Sequence, residues 1–219
     1  MQKYFDEELA GFKERLLMMG SCAESAVSQA VQAVTDRNDA LSQQVQQNDD
    51  VVDNYEIEID DLAIHLLSKA PLASDLRLIT VAMKISQNLE RIGDEATTIA
   101  RRAQELNREP QLKAYLDIPR MAAIALGMLK ESLDAFVNKQ PEKARAVVPR
   151  DKEVDAINRQ LYRELSSFMV ENPSTISRCL NLMTVSKSLE RVADHATNIA
   201  EEVVYLCEAR DIRHEANKL

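Results

Sequence analysis

Two stretches of this chain, LERIGDEATTIA over residues 89–100 and LERVADHATNIA over 189–200, lie 100 residues apart and agree at eight of twelve positions. A repeat of that length is too long for a short solenoid unit. It demands a fold built twice from a substantial unit, and the unit reads as helical. Apolar or small residues fall at Leu9, Phe12, Leu16, Met19, Ala23, Ala26, Ala30 and Ala33, alternately three and four apart. That spacing is the seam of a long bundle helix. Only 4% of residues are aromatic, and there are four Gly and six Pro, too few aromatics and turn formers for a strand-rich domain.

Prolines punctuate the periodic segments. The pattern predicts helices over about 6–36, 40–69, 75–107, 119–138, 141–170 and 174–209. It places a tight reversal at Pro71, turns at Pro141 and Pro173, Pro119 in a first helical turn, and a kink or restart at Pro149. The second helix has a seam of Val52, Tyr55, Ile59, Leu62 and Leu66; the third has Leu78, Ile85, Leu89, Ile92, Ala96 and Ile99. The order helix, helix, proline turn, helix occurs twice, with a joint near residues 108–118. The expected fold is all-α, two tandem three-helix bundles over residues 1–110 and 111–219. A single six-helix bundle and one elongated antiparallel coiled coil are the alternatives.

Each repeated stretch pairs Glu with Asp at i and i+4: Glu90 with Asp94, and Glu190 with Asp194. On a helix both carboxylates leave one face, a turn apart. Ile79 and Met83, and likewise Cys179 and Met183, precede them on that face, so it is partly buried. A D-x-x-x-D pair stands on the preceding helix of each half: Asp49 with Asp53, and Asp151 with Asp155. Antiparallel helices bring together residues equidistant from their turn. Asp53 with Glu90, and Asp49 with Asp94, both centre beside Pro71; Asp155 with Glu190, and Asp151 with Asp194, both centre beside Pro173. Each half therefore gathers four carboxylates about 27 Å from its turn. Four such charges in a partly dry site repel, raise one another's pKa or recruit a cation. Arg91 and Arg191 adjoin the Glu residues but point about 100° away around the helix. An all-oxygen donor set suits Mg²⁺, Mn²⁺ or iron, with Zn²⁺ as a further option, and four carboxylates exceed what one Mg²⁺ takes, which favours a multinuclear site. One such pair alone is more often a solvated face; the repetition and the turn symmetry are what favour metal.

The formal net charge is −9, which argues against nucleic-acid binding. Cys22, Cys179 and Cys207 form no C-x-x-C pair, consistent with free thiols in a reducing compartment. The N-terminal residues lack an apolar signal core, and the longest near-apolar run, residues 121–129, is too short to span a bilayer. A cytoplasmic protein is expected, with membrane contact only through partners. His195 follows Asp194 and reads as a neighbour of the site, not a ligand. His65 reads as packed in the bundle, and His214 lies in a polar tail. The eight methionines read mostly as core filling.

In these residues the chain resembles the PhoU family of phosphate-uptake regulators over essentially its whole length. The resemblance rests on DDVVD, PLASDLR and LERIGDEATTIA in the first half, and on RDKEVD and LERVADHATNIA in the second. The second half has PSTISR where the first has PLASDLR. The resemblance implies two three-helix bundles with multinuclear iron or zinc clusters. Their ligands would be Asp49, Asp53, Glu90 and Asp94, and then Asp151, Asp155, Glu190 and Asp194. It implies a cytoplasmic homodimer at the inner face of the membrane. Such a protein links the ATPase subunit of the phosphate ABC transporter to a phosphate-responsive sensor histidine kinase, and represses the starvation response.

Other functions fit less well. Bundle di-iron oxidases carry Glu-x-x-His, and no Glu stands three residues before any His here. All-α metal-dependent phosphohydrolases use acidic pairs at i,i+3, one residue shorter than these. No Gly-rich phosphate loop or Ser-His-Asp set is present, so no enzyme is expected. A phosphotransfer histidine module and a purely structural helical bundle are the remaining alternatives.

Overall fold

The computed structural model describes residues 2–69 and 72–213. Among them the long elements are all α-helices: α1 (Gln2–Thr35), α2 (Asp39–Gln47), α3 (Asp49–Leu67), α4 (Ala73–Asn107), α5 (Asp117–Asn138), α6 (Pro141–Val147), α7 (Asp151–Glu171) and α8 (Ile176–Glu208). Short 3-10 turns cover Val148–Arg150 and Pro173–Thr175. The all-α expectation holds. The predicted reversal at Pro71 and the tail residue His214 lie outside the described residues.

The predicted seams are the buried ones. Phe12, Leu16, Met19, Ala23, Ala30 and Ala33 of α1 are fully buried, as are Ile85, Leu89, Ile92, Ala96 and Ile99 of α4. Ala26 is only partly buried, and Val27 takes its place. In α3, Val52, Ile59 and Leu66 are buried, while Tyr55 and Leu62 pack at the margin. Cys179, Met19, Met121 and Met128 have no exposed surface. His65 departs from expectation. It is exposed, with Nε2 3.2 Å from Glu8 Oε1, because the buried stripe of α3 runs through Ala63 and Leu66 and turns position 65 outward.

Two expected single helices are interrupted. The segment predicted as 40–69 breaks at Asn48, whose N–H reaches both Gln44 O and Val45 O. The segment predicted as 141–170 changes to 3-10 geometry over Val148–Arg150, around Pro149, because proline has no N–H to continue the helical ladder. Both breaks fall one residue before a D-x-x-x-D pair, so Asp49 and Asp151 open new helices. A helix N-terminus carries partial positive charge and favours anionic side chains there.

The two repeats pack together as well as within themselves. α4 lies against α1, α2 and α3 of its own half and against α8 of the other; α8 lies likewise against α5, α6 and α7, and α1 also meets α5. The buried apolar residues of both repeats form one continuous cluster. The contacts of α4 with α8 run in opposite directions: Lys84 Nζ to Glu202 Oε1 at 3.1 Å, Asn198 Nδ2 to Asn88 Oδ1 at 3.3 Å, and Arg191 Nη1 to Glu95 Oε1 at 3.0 Å. The two central helices are therefore antiparallel across the joint.

The joint is pinned from both sides. Arg37, at φ 54 after α1, donates through Nη2 to Asn107 O at 2.8 Å and Glu109 O at 2.6 Å. Arg178 of α8 donates to Pro110 O at 3.0 Å and pairs with Glu109 at 3.2 Å. Arg37→Met leaves two carbonyls without their charged donor. Its unfolding free energy in urea is expected to fall by about 2 kcal/mol. An unchanged midpoint would show that Arg178 holds the joint alone.

Candidate metal centre

The first four carboxylates come from two antiparallel helices. Val52 of α3 lies over Gly93 of α4, where an added Cβ would sit 3.4 Å from Val52 Cβ. That close approach sets the register of the flanking acids. Thr97 Oγ1, on α4, donates to Asp49 Oδ1, on α3, at 2.8 Å. Burial raises the Asp53 carboxyl, and the charges of Asp49 and Asp94 raise it further. Glu90 is pushed up to about 7, by burial first and then by Asp94 and Glu56. The expected quartet Asp49, Asp53, Glu90 and Asp94 thus shares one electrostatic neighbourhood.

The second quartet assembles in the same way on α7 and α8. Burial raises the Asp151 carboxyl, followed by Asp155 and Glu190. Asp194 rises to about 6, through burial, then Glu190, then Asp151. Asp194 still keeps an open face to solvent, whereas Glu190 is only 8% exposed. Asp151 Oδ1 is buried without a hydrogen-bond partner, and so is Thr197 Oγ1, the counterpart of the Thr97 hydroxyl that serves Asp49. An orphaned buried carboxylate oxygen is costly unless water or a cation meets it.

The donor chemistry fits a hard divalent cation, being all oxygen with a buried, unpaired acceptor among it. The side chains are splayed: among the described residues, no three His, Cys, Asp or Glu converge closely enough to hold an ion. Ligation therefore requires side-chain rotation, which four exposed or half-buried positions of the first quartet permit.

Several residues that act on the sites escaped the sequence reading. Glu56 lies one turn beyond Asp53 and adds a fifth carboxylate to the first site; burial, Asp60 and Asp53 raise its own pKa. Lys187 Nζ lies against Glu190 Oε2 as an ion pair, although that oxygen has no aligned hydrogen-bond donor. Arg159 pairs with Asp155 at 3.1 Å. Spacings of three and four residues could have revealed all three. Arg91 also differs from expectation: its long side chain bends back, placing Nε 3.5 Å from Glu90 Oε2. Arg191 does point away, to Glu95 of the other half. His195 is turned toward α4, with Nδ1 2.9 Å from Asn88 Oδ1, and burial lowers its pKa. Beside Asp94 a polar cleft of ≈ 640 Å³ opens between α4 and α8, flanked by Arg91, Arg101, Arg191 and His195.

A PhoU domain model matches residues 16–103 and 118–203, one match on each repeat. The chain belongs to the PhoU family. It is 40% identical over 216 residues to the phosphate-specific transport system accessory protein PhoU homolog of Pseudomonas aeruginosa, covering 98% of this chain and 89% of the relative. The PhoU homolog of Rhizobium meliloti is 40% identical over 205 residues, covering 92% of this chain and 86% of the relative. The crystal structure of PhoU from Pseudomonas aeruginosa superposes with a TM-score of 0.91 over 94% of this chain and 100% of that one, at 40% identity. The phosphate transport system regulatory protein PhoU from Streptococcus pneumoniae gives 0.89 at 26% identity, covering 94% of this chain and 98% of that one. The repeated helical architecture of this PhoU-family chain thus recurs in solved PhoU structures.

The raised carboxyls set a pH dependence. Glu90 has a folded-state pKa of about 7 against an ordinary value of 4.5. Its neutral form favours the fold fully below 4.5, and that contribution disappears as pH rises through 7. Asp194 acts in the same direction, toward its value of about 6. The chelator-treated chain is therefore expected to melt at lower temperature as pH goes from about 5 to 8. Glu90→Gln should flatten part of that slope in calorimetry. Identical slopes would show that Glu90 is not coupled to the other carboxylates.

Proposed function

We propose that this chain is a non-enzymatic regulator of phosphate transport that binds divalent cations at two carboxylate sites. In this reading it links the ATPase subunit of the phosphate ABC transporter to a phosphate-responsive sensor histidine kinase. It represses the starvation response when phosphate is plentiful. The observation that carries the reading is the duplicated pairing of acidic helix faces inside a PhoU fold. The relatives are named as accessory proteins of phosphate-specific transport, and that name supports a regulatory role over a catalytic one.

Asp49, Asp53, Glu90 and Asp94 would hold cation in the first half, and Asp151, Asp155, Glu190 and Asp194 in the second. The cation would supply the positive charge that lets all four carboxylates ionise together. Oxygen donors favour Mg²⁺ or Mn²⁺, and the family resemblance adds iron and zinc as multinuclear clusters. Loaded with cation, the two sites would fix the angle between α3 and α4 and between α7 and α8. Among the described residues, no helix is long and apolar enough to cross a membrane. The reading places the chain in the cytoplasm as a homodimer, at the inner membrane face only through its partners.

Metal content per chain, measured by mass spectrometry after purification without added metal or chelator, is the direct test. Two or more ions per chain, with melting temperature lowered by EDTA, are expected. Glu90→Gln with Asp94→Asn should remove the first half's share. Full metal in that variant would refute the ligand assignment, and no metal in the parent would leave a purely structural bundle. For the regulatory part, a phosphate-starvation reporter in cells lacking their own copy should be silenced by this chain in high phosphate. Membranes containing the transporter and the kinase should retain it.

A further inference from the structure

The two quartets have different surroundings, and the difference lies in side chains that the repeat does not share. Position 187, three residues before Glu190, is lysine; its counterpart before Glu90 is Gln87. The Lys187 ammonium is in contact with Glu190, which is 8% exposed. On the facing helix, Arg159 pairs with Asp155 at 3.1 Å, and its counterpart in α3 is Ile57. Asn158 accepts from Ser186 Oγ at 2.6 Å, and its counterpart is Glu56, the carboxylate added to the first site. The first site therefore sets five carboxylates against the Arg91 guanidinium, 68% exposed and 3.5 Å from Glu90, with Arg101 and Arg191 farther off in the cleft beside Asp94. The second sets four carboxylates against an ammonium and a guanidinium.

We propose that the two sites are unequal, with the first-half carboxylates taking up divalent cation more tightly and Lys187 acting as a tethered counter-ion that weakens the second. The proposal rests on the cation-binding reading above. A metal entering the second site must displace the half-exposed Lys187 ammonium from a buried carboxylate, so part of the electrostatic gain is already taken and a positive charge stays close by. One entering the first meets a neutral hydroxyl bond, Thr97 to Asp49, and the largely solvated Arg91 guanidinium at the edge beside Glu90. The orphaned Asp151 Oδ1 pulls the other way. An unpaired acceptor is satisfied by water as well as by metal, whereas an ammonium has to leave. Lys187 is thus a specificity-determining residue that is not itself a ligand. Glu56 is its opposite in the first half, an added negative charge at the position where the second half carries Asn158.

The test is calorimetric titration of the full, chelator-treated chain with Mn²⁺, with the loss of free Mn²⁺ signal followed in parallel by electron paramagnetic resonance. Two phases are expected, their affinities differing about tenfold or more. Asp94→Asn should abolish the tighter phase and Asp194→Asn the weaker one. Lys187→Gln should tighten the weaker phase severalfold, and Gln87→Lys should weaken the tighter one. Two equal phases, a tighter phase lost in Asp194→Asn, or a weaker phase indifferent to Lys187→Gln would each overturn the inequality while leaving cation binding intact. Absence of Mn²⁺ binding in the parent would overturn both. Circular dichroism of each variant checks that the helical fold is kept.

Discussion

The enclosure of α4 and α8 is the constraint on which everything else depends. Each central helix is packed by its own half on one side and by the other half on the other. A helix enclosed in this way must be apolar or small around most of its circumference. Leu78, Ile79, Val81, Ala82 and Ile85 by themselves cover about 160° of the circumference of α4. At the margins of that face, charged residues lie in the strips where α4 meets a neighbour, while others such as Arg101, Arg102 and Glu105 are exposed to solvent. One strip of α4 faces α3 and carries Glu90 and Asp94. Another faces α8 and carries Lys84 and Glu95.

The strips treat their charges differently. Between α4 and α8 the acids have partners: Glu95 has Arg191, and Glu202 has Lys84 and Arg213. The pairs of Glu95 with Arg191 and of Glu202 with Lys84 cross from one half to the other, where a wrong register would leave buried charge unpaired. Between α3 and α4 the acids face one another, and Arg91 answers Glu90 from the edge. Uncompensated carboxylates of this kind raise their own pKa values until a proton or a cation arrives. The strip between the halves is therefore structural, whereas the strip between α3 and α4 keeps the carboxyls of Asp53 and Glu90 above their ordinary pKa values.

Much of this arrangement is legible in the letters. The alternation of three and four in α1, the prolines and the duplicated twelve residues lead to six helical segments in two rounds. Equidistance from Pro71 and Pro173 brings the eight carboxylates together by fours. The break at Asn48 was harder to read than that at Pro149: Asn48, Asp49 and Asp50 are weak helix formers, but each keeps the N–H that proline lacks. His65 was misplaced for a similar reason: it sits between apolar letters, yet a shift of the buried stripe by one residue turns it to solvent. Glu56, Lys187 and Arg159 were present as local spacings. Their weight depends on which strip they border, and only packing settles that.

By itself the sequence determined the helical class, the duplication and the identity of the acidic pairs, since each follows from periodicities within one helix or one turn. The tertiary structure decided what those pairs experience. The reach of Arg191 across to Glu95 and the rotation of His195 toward Asn88 depend on α4 lying antiparallel to α8. That register is set by side chains roughly 100 residues apart, and no local pattern encodes so distant a contact.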